Sequence, residues 1–281
     1  MKKFFLPLLT FAALASQAQK ASNKLTFQKG QTIEVTTNMN INTQSMMGEI
    51  PASVVMTDTY SVGETTAEGT QLIKTPKKVK FSVSAMGQDM NADSDNPKDL
   101  EGRLGEPIKE IMKQKQEFTV DATGKVTTVK TDDKKKKEDA GMMGMMMPGM
   151  NAGATVAVAG QPSLFKILPD REVSKGDTWT DSVNVEGNKS KTVYTVKDIT
   201  EKEIILDYTG DGTSKTTQSA MGMSADVSAT TKNSGTVTLD KATGLLKQKT
   251  MTANTESNMS MNGNDMSSTT KITAVTTVKV L

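Results

Sequence analysis

Neither cysteine nor histidine occurs anywhere in the 281 residues. Their absence removes disulfide staples, thiol nucleophiles, the commonest general base and the usual zinc ligands. Arginine is almost missing as well: Arg103 and Arg171 are the only two, and lysine supplies the rest of the positive charge. Arginine is the side chain that reads phosphates and base edges through paired hydrogen bonds, and aromatic residues are only 4% of the chain, so nucleic acid is not an expected partner. Long hydrophobic runs are lacking too. A membrane-spanning helix takes roughly 20 apolar residues, and no stretch approaches that.

The one short apolar run, Phe4 to Leu14, follows Lys2 and Lys3 and precedes Ser16-Gln17-Ala18. A basic start, a short apolar stretch and small residues form the order of a secretory signal, with cleavage expected between Ala18 and Gln19. Residues 1–18 are therefore expected to be a signal peptide and the remainder to be exported, to the periplasm or the outer cell surface. Without cysteine, a lipoprotein-type anchor is not expected. Beyond residue 18 the chain carries 32 basic and 32 acidic residues, so net charge selects no class of partner.

What is abundant is threonine, 40 residues of it, together with valine and isoleucine, a composition that favours strands. Alternation supports this repeatedly. Ile33, Val35, Thr37, Met39 and Ile41 fall on one side of a strand, and Val79, Phe81, Val83 and Ala85 on one side of another. Ile204, Leu206 and Tyr208, then Ile272, Ala274, Thr276, Val278 and Val280, repeat the pattern. One dry face and one wet face is the pattern of antiparallel sheet. A single short helix is expected near Pro107 to Lys113, where Ile108, Ile111 and Met112 share a face. The expected fold is all-β and mainly antiparallel.

The chain also repeats itself. Lys29-Gly30-Gln31-Thr32-Ile33 is matched by Lys175-Gly176-Asp177-Thr178-Trp179. Tyr60, Val62, Glu64, Thr66 and Leu72 recur at the same spacing as Tyr194, Val196, Asp198, Thr200 and Leu206. Ser84-Ala85-Met86-Gly87 returns as Ser219-Ala220-Met221-Gly222, and the turn Asp121-Ala122-Thr123-Gly124 returns as Asp240-Lys241-Ala242-Thr243-Gly244. Two similar curved-sheet or half-barrel modules are expected, at residues 24–130 and 163–281. Between them residues 131–162, with Lys134 to Lys137 and a methionine-glycine tract, read as a flexible linker.

Leu168-Pro169-Asp170-Arg171-Glu172-Val173, followed by Lys175-Gly176-Asp177-Thr178-Trp179, resembles the PD-x-x-V-x-x-GD-x-W stretch of a family of exported Gram-negative bacterial β-rich proteins of unknown function. Glu117-Phe118-Thr119-Val120-Asp121, with Gly124, is similar to that family's middle strand and turn. The resemblance implies an envelope β-protein and brings no catalytic residues. The methionine tract departs from the family's pattern.

Among chemical motifs, Ser163-Leu164-Phe165-Lys166 has the Ser-x-x-Lys spacing of penicillin-recognising enzymes but lacks their accompanying elements. Paired carboxylates leave a hydrolase as a remote alternative. Asp89, Asp93, Asp95 and Asp99 lack the glycine turn and closing glutamate of a calcium loop. Met142, Met143, Met145, Met146, Met147 and Met150, with a looser group at Met259, Met261 and Met266, offer soft thioether ligands that suit Cu(I). Adaptable apolar filler is the favoured reading of the methionines, since Met39, Met86, Met221, Met259 and Met261 fall within apparent strands. The leading expectation is a non-enzymatic binding or scaffolding protein with a hydrophobic groove, lined by Val35, Val79, Val83, Leu206 and Val278, for a lipid or an envelope protein. Periplasmic Cu(I) binding is the alternative.

Overall fold

A computed structural model describes residues 20–46, 48–85, 87–102, 104–130, 156–185, 187–220, 223–261 and 264–281. The described residues form twelve strands and one α-helix, all pairings being antiparallel. The first half holds β1 (Thr32–Ser45), β2 (Gly48–Thr66), β3 (Gly69–Ala85), β4 (Gln88–Asp93), α1 (Gly105–Lys113), β5 (Gln116–Val120) and β6 (Val126–Lys130). The second holds β7 (Thr178–Val185), β8 (Asn188–Ile199), β9 (Glu203–Ala220), β10 (Met223–Asp240), β11 (Leu246–Met261) and β12 (Asn264–Val280). They make one continuous sheet in the order β6-β5-β3-β2-β1-β12-β11-β10-β9-β8-β7, with β4 on the far part of β3.

The order is the internal repeat made visible. Omitting β4, the first half runs β6-β5-β3-β2-β1 and the second β11-β10-β9-β8-β7, with β12 between them. Matched residues make matched hydrogen bonds. Gly30 N–H donates to the Val62 carbonyl and Val62 N–H to that of Gln31, just as Gly176 donates to Val196 and Val196 to Asp177. Lys29 pairs with Glu64, and Lys175 with Asp198. In the repeated turns Asp121 accepts from Thr123 N–H and Oγ1, and Asp240 from Thr243 N–H and Oγ1, at 2.7–2.9 Å. Gly124 and Gly244, at φ +89° and +71°, supply the left-handed position that closes each turn. The two halves share one sheet through the thirteen-residue ladder between β1 and β12.

The sheet curls at one end, and its own chain fills the curl. Leu25 N–H donates to the Ala122 carbonyl of the β5–β6 turn, and Thr26 N–H to the Thr243 carbonyl of the β10–β11 turn. Segment 20–28 therefore ties distant parts of the sheet together. Residues 163–173 enter the same space: Phe165 meets Phe27 and Tyr60 edge-on at 5.5 and 5.4 Å, while Ile167, Leu168 and Val173 pack with Val196, Leu206 and Leu239. Leu164 and Val278 touch both clusters. Of the segment read as a linker, residues 131–155 lie outside the described residues. Its far end is pinned: Gln116 exchanges two hydrogen bonds with Ala157, and Val126 N–H donates to the Gln161 carbonyl.

The alternation places Met39, Ile41, Val54, Phe81, Val83 and Ile272 on the inner face, in the half of the sheet away from the plug. Helix α1 covers part of it, laying Ile108 on Val79 and Ala92. Its start has Glu106, its end Lys113, and Lys109–Glu106 and Lys113–Glu110 pair at 2.7 and 2.8 Å, in keeping with the helix dipole. Pro107 sits in the first turn, where its missing N–H costs nothing. The helix begins two residues earlier than the sequence suggests. Threonine explains how so polar a composition can line a sheet interior: Thr37–Thr276, Thr43–Thr270 and Thr231–Thr255 bond hydroxyl to hydroxyl across strands at 2.9–3.0 Å.

Candidate functional site

Comparing the two halves position by position isolates the site. Across β7, β8 and β9, Trp179 lies opposite Tyr194, and Tyr194 opposite Tyr208. Their rings form a ladder on the inner face, with centroids 5.3 Å apart and nearly parallel for the first pair, and 5.8 Å apart for the second. Tyr208 then leans across β10 and donates its hydroxyl to the Thr250 carbonyl at 3.0 Å. It can do so because β10 presents Gly235 opposite it; a Cβ there would sit 2.0 Å from that carbonyl oxygen and 3.0 Å from the Tyr208 ring. Lys249 of β11 ends the ladder, its ammonium 5.1 Å from the Tyr208 ring centroid.

The polar groups of this strip are poorly satisfied. The Trp179 indole N–H is buried and finds no acceptor among the described residues. Asp181, two residues along β7 on the same face, has no hydrogen-bond or ion-pair partner among the described residues, and burial raises its pKa, opposed by Lys166 and assisted by Asp170. Burial, then the Asp181 charge, pushes the Tyr194 hydroxyl up to about 12. Burial lowers the Lys249 pKa.

At the matching places the first half is closed. Ile33 stands for Trp179, Val35 for Asp181 and Tyr60 for Tyr194, all buried. Lys74 stands for Tyr208, and its charge is met by Asp58 at 3.1 Å, both side chains being only 9% exposed. One copy of the module has a finished interior, the other an unfinished one.

The structure disperses the residues singled out from sequence. Val35 packs in the cluster of Ile33 and Tyr60, Leu206 in that of Val196 and Leu239, Val83 with Phe81, and Val79 under α1. Val278 is partly buried between the first two clusters. They share the inner face but do not meet around one cavity. Ala18, Gln19, Met142, Met143, Met145, Met146, Met147 and Met150 lie outside the described residues, and Met259 stands opposite Met266 across β11 and β12. Ser163 Oγ accepts from Phe165 N–H, while the Lys166 ammonium goes to Asp170 and Thr123, so no Ser–Lys pair exists. Asp93 and Asp95 pair with Lys78, and Asp99 accepts from the Asp93 N–H. Among the described residues no three acidic side chains gather around a metal position. The signal that sequence reading missed was available in the repeat, which sets an aspartate at Asp181 against a valine at Val35.

Taken together, fold and site define an open antiparallel sheet protein built on an internal repeat. The chain belongs to the family of unknown function DUF6263, whose model matches residues 68–246. No curated protein matches it. Among solved structures, lipovitellin, described for its lipid–protein interactions, is similar at 11% identity and a TM-score of 0.48, over 91% of this chain and 26% of that one. The chain thus spans about a quarter of lipovitellin's length. An outer membrane channel from Pseudomonas putida F1 is similar at 9% identity and a TM-score of 0.24, over 91% of this chain and 98% of that one. OccK5 from Pseudomonas aeruginosa follows at 9% identity and a TM-score of 0.21, over 89% and 98%. Likenesses this low bear on neither fold nor function.

Proposed function

We propose that the chain is an exported, non-enzymatic binding or scaffolding protein of the cell envelope, whose inner sheet face receives an apolar ligand, a lipid chain or a hydrophobic segment of another envelope protein. The observation that carries the reading is the unfinished second half: among the described residues the Trp179 indole N–H and the Asp181 carboxylate have no hydrogen-bond or ion-pair partner, and Lys249 meets only the face of Tyr208, where the first half is sealed. Unmet polar groups in low-dielectric surroundings cost stability, roughly 1–3 kcal/mol for each fully buried one. A lipid headgroup, or the backbone and polar side chains of a protein segment, would meet them while the apolar part of the same ligand covers the strip, and so recover that cost.

Native mass spectrometry of protein purified from envelopes tests this. A bound lipid or a stoichiometric partner is the expected result. Protein that is ligand-free and partner-free by the same measurement overturns it.

A further inference from the structure

The strand β12 has no counterpart in the first half. It lies on the outer side of β1, setting Val280 opposite Ile33, Val278 opposite Val35 and Thr276 opposite Thr37. In the repeat β1 corresponds to β7, Ile33 to Trp179 and Val35 to Asp181. On β7, however, no described strand occupies the equivalent side, since β7 ends the sheet. The repeat therefore leaves one strand position filled on β1 and open on β7.

Of the features that keep edges from pairing, this edge has one inward-pointing charge, Asp181, while Arg171 donates to the Thr178 carbonyl at its start. All eight residues of β7 pair with β8 in unbroken register, with no bulge, and the strand contains neither proline nor lysine. The opposite edge, β6, is five residues long and ends in Lys130. Thr178, Thr180, Ser182 and Asn184 face outward and are exposed, while Trp179, Asp181 and Val183 face inward and are only partly covered. An eight-residue segment laid beside β7 would cover those three.

We propose that β7 is the receiving edge for an extended segment of another protein, which pairs antiparallel with it as β12 pairs with β1 and sets a lysine or arginine opposite Asp181, flanked by apolar residues opposite Trp179 and Val183. This rests on the binding reading above and names its partner by chemistry. Charge chooses the occupant. A carboxylate held partly out of water, with no ion-pair partner among the described residues and only the more distant Lys166 to oppose its charge, calls for a cation, and the ring at one side and valine at the other call for apolar neighbours two residues away, because strand side chains alternate. A second copy of this chain is the poorer fit, since two β7 strands paired about a twofold axis bring two Asp181 carboxylates together.

Trp179 is the only tryptophan, so its fluorescence reports the site directly. The full protein is titrated with the capped peptide Thr-Val-Thr-Lys-Thr-Val-Thr and with its glutamate analogue. Saturable fluorescence change with the lysine peptide, weakened about tenfold or more in the glutamate one, is expected. Asp181→Lys should reverse that preference, which a merely destabilised variant could not do. Two further peptides, N-methylated on alternate residues, address the backbone: edge pairing requires that one lose binding and the other keep it. Equal affinity for both charges, retention by both methylated peptides, or concentration-dependent dimers that the lysine peptide does not compete all overturn the proposal. So does the absence of any saturable change, and if envelope-purified protein still carries a lipid in that case, the binding reading survives while this assignment of its partner does not.

Discussion

Replacing Asp181 by asparagine should make the protein more stable at neutral pH. Burial raises this carboxyl's pKa in the fold, so the folded state holds the proton more tightly than the unfolded chain does. The stability linked to it is present below the unfolded carboxyl's pKa and is lost as pH rises through the folded one. Asp181→Asn escapes that loss, with a gain on the order of 0.5 kcal/mol at pH 7 that fades in strongly acidic buffer. Urea midpoints at the two pH values check it, and a lower midpoint at pH 7 would show that the carboxylate is serving the fold. Asp58 and Lys74 should behave the opposite way. Lys74→Met strands a buried charge and costs about 3–5 kcal/mol, whereas Lys74→Met with Asp58→Leu removes both charges and restores most of it. A double-mutant cycle reads the difference.

Among the elements, β10 depends on a missing side chain. Gly235→Ala puts a methyl group against the Thr250 carbonyl and the Tyr208 ring, so the aromatic ladder must shift and the Tyr208–Thr250 hydrogen bond with it. A loss of about 1–3 kcal/mol is expected, accompanied by a red shift of Trp179 emission, because the displaced rings stack on it in series. An unchanged spectrum would mean that the ladder is not a mechanical unit. Strand alternation made β1, β3, β9 and β12 legible beforehand, and α1 was legible from Pro107 and its one-sided apolar spacing. The site was not, since a period-two pattern treats Asp181 and Lys249 as ordinary polar residues and says nothing of whether they have partners. The plug escaped for a related reason: Leu164, Phe165, Ile167 and Leu168 follow no strand period, because they fill the curl instead of joining the sheet.

For the molecule as a whole, the halves should unfold together. The β1–β12 ladder, segment 20–28 and residues 163–173 each join one half to the other, so neither interior survives loss of the other. Urea titration followed by Trp179 fluorescence, which reports the second half, and by far-ultraviolet circular dichroism, which reports both, should give coincident curves. Phe165→Ala should shift both curves equally while costing about 3–5 kcal/mol, and separated midpoints would show two independent units. The repeat could be read from the sequence, but its fusion into one sheet could not, because pairing partners so far apart leave no local trace in either strand.

The central place of β12 has a consequence for how the chain is made. Ile33 waits for Val280, so the first half leaves the ribosome with β1 unpaired on one side and stays so until almost all the remaining residues have been synthesised. Contacts so distant in sequence make for slow, late-committing folding and for an interval in which a bare strand is open to the wrong neighbour. A chain of this topology gains by being kept extended until it is whole, so that β1 meets β12 before it meets any other strand.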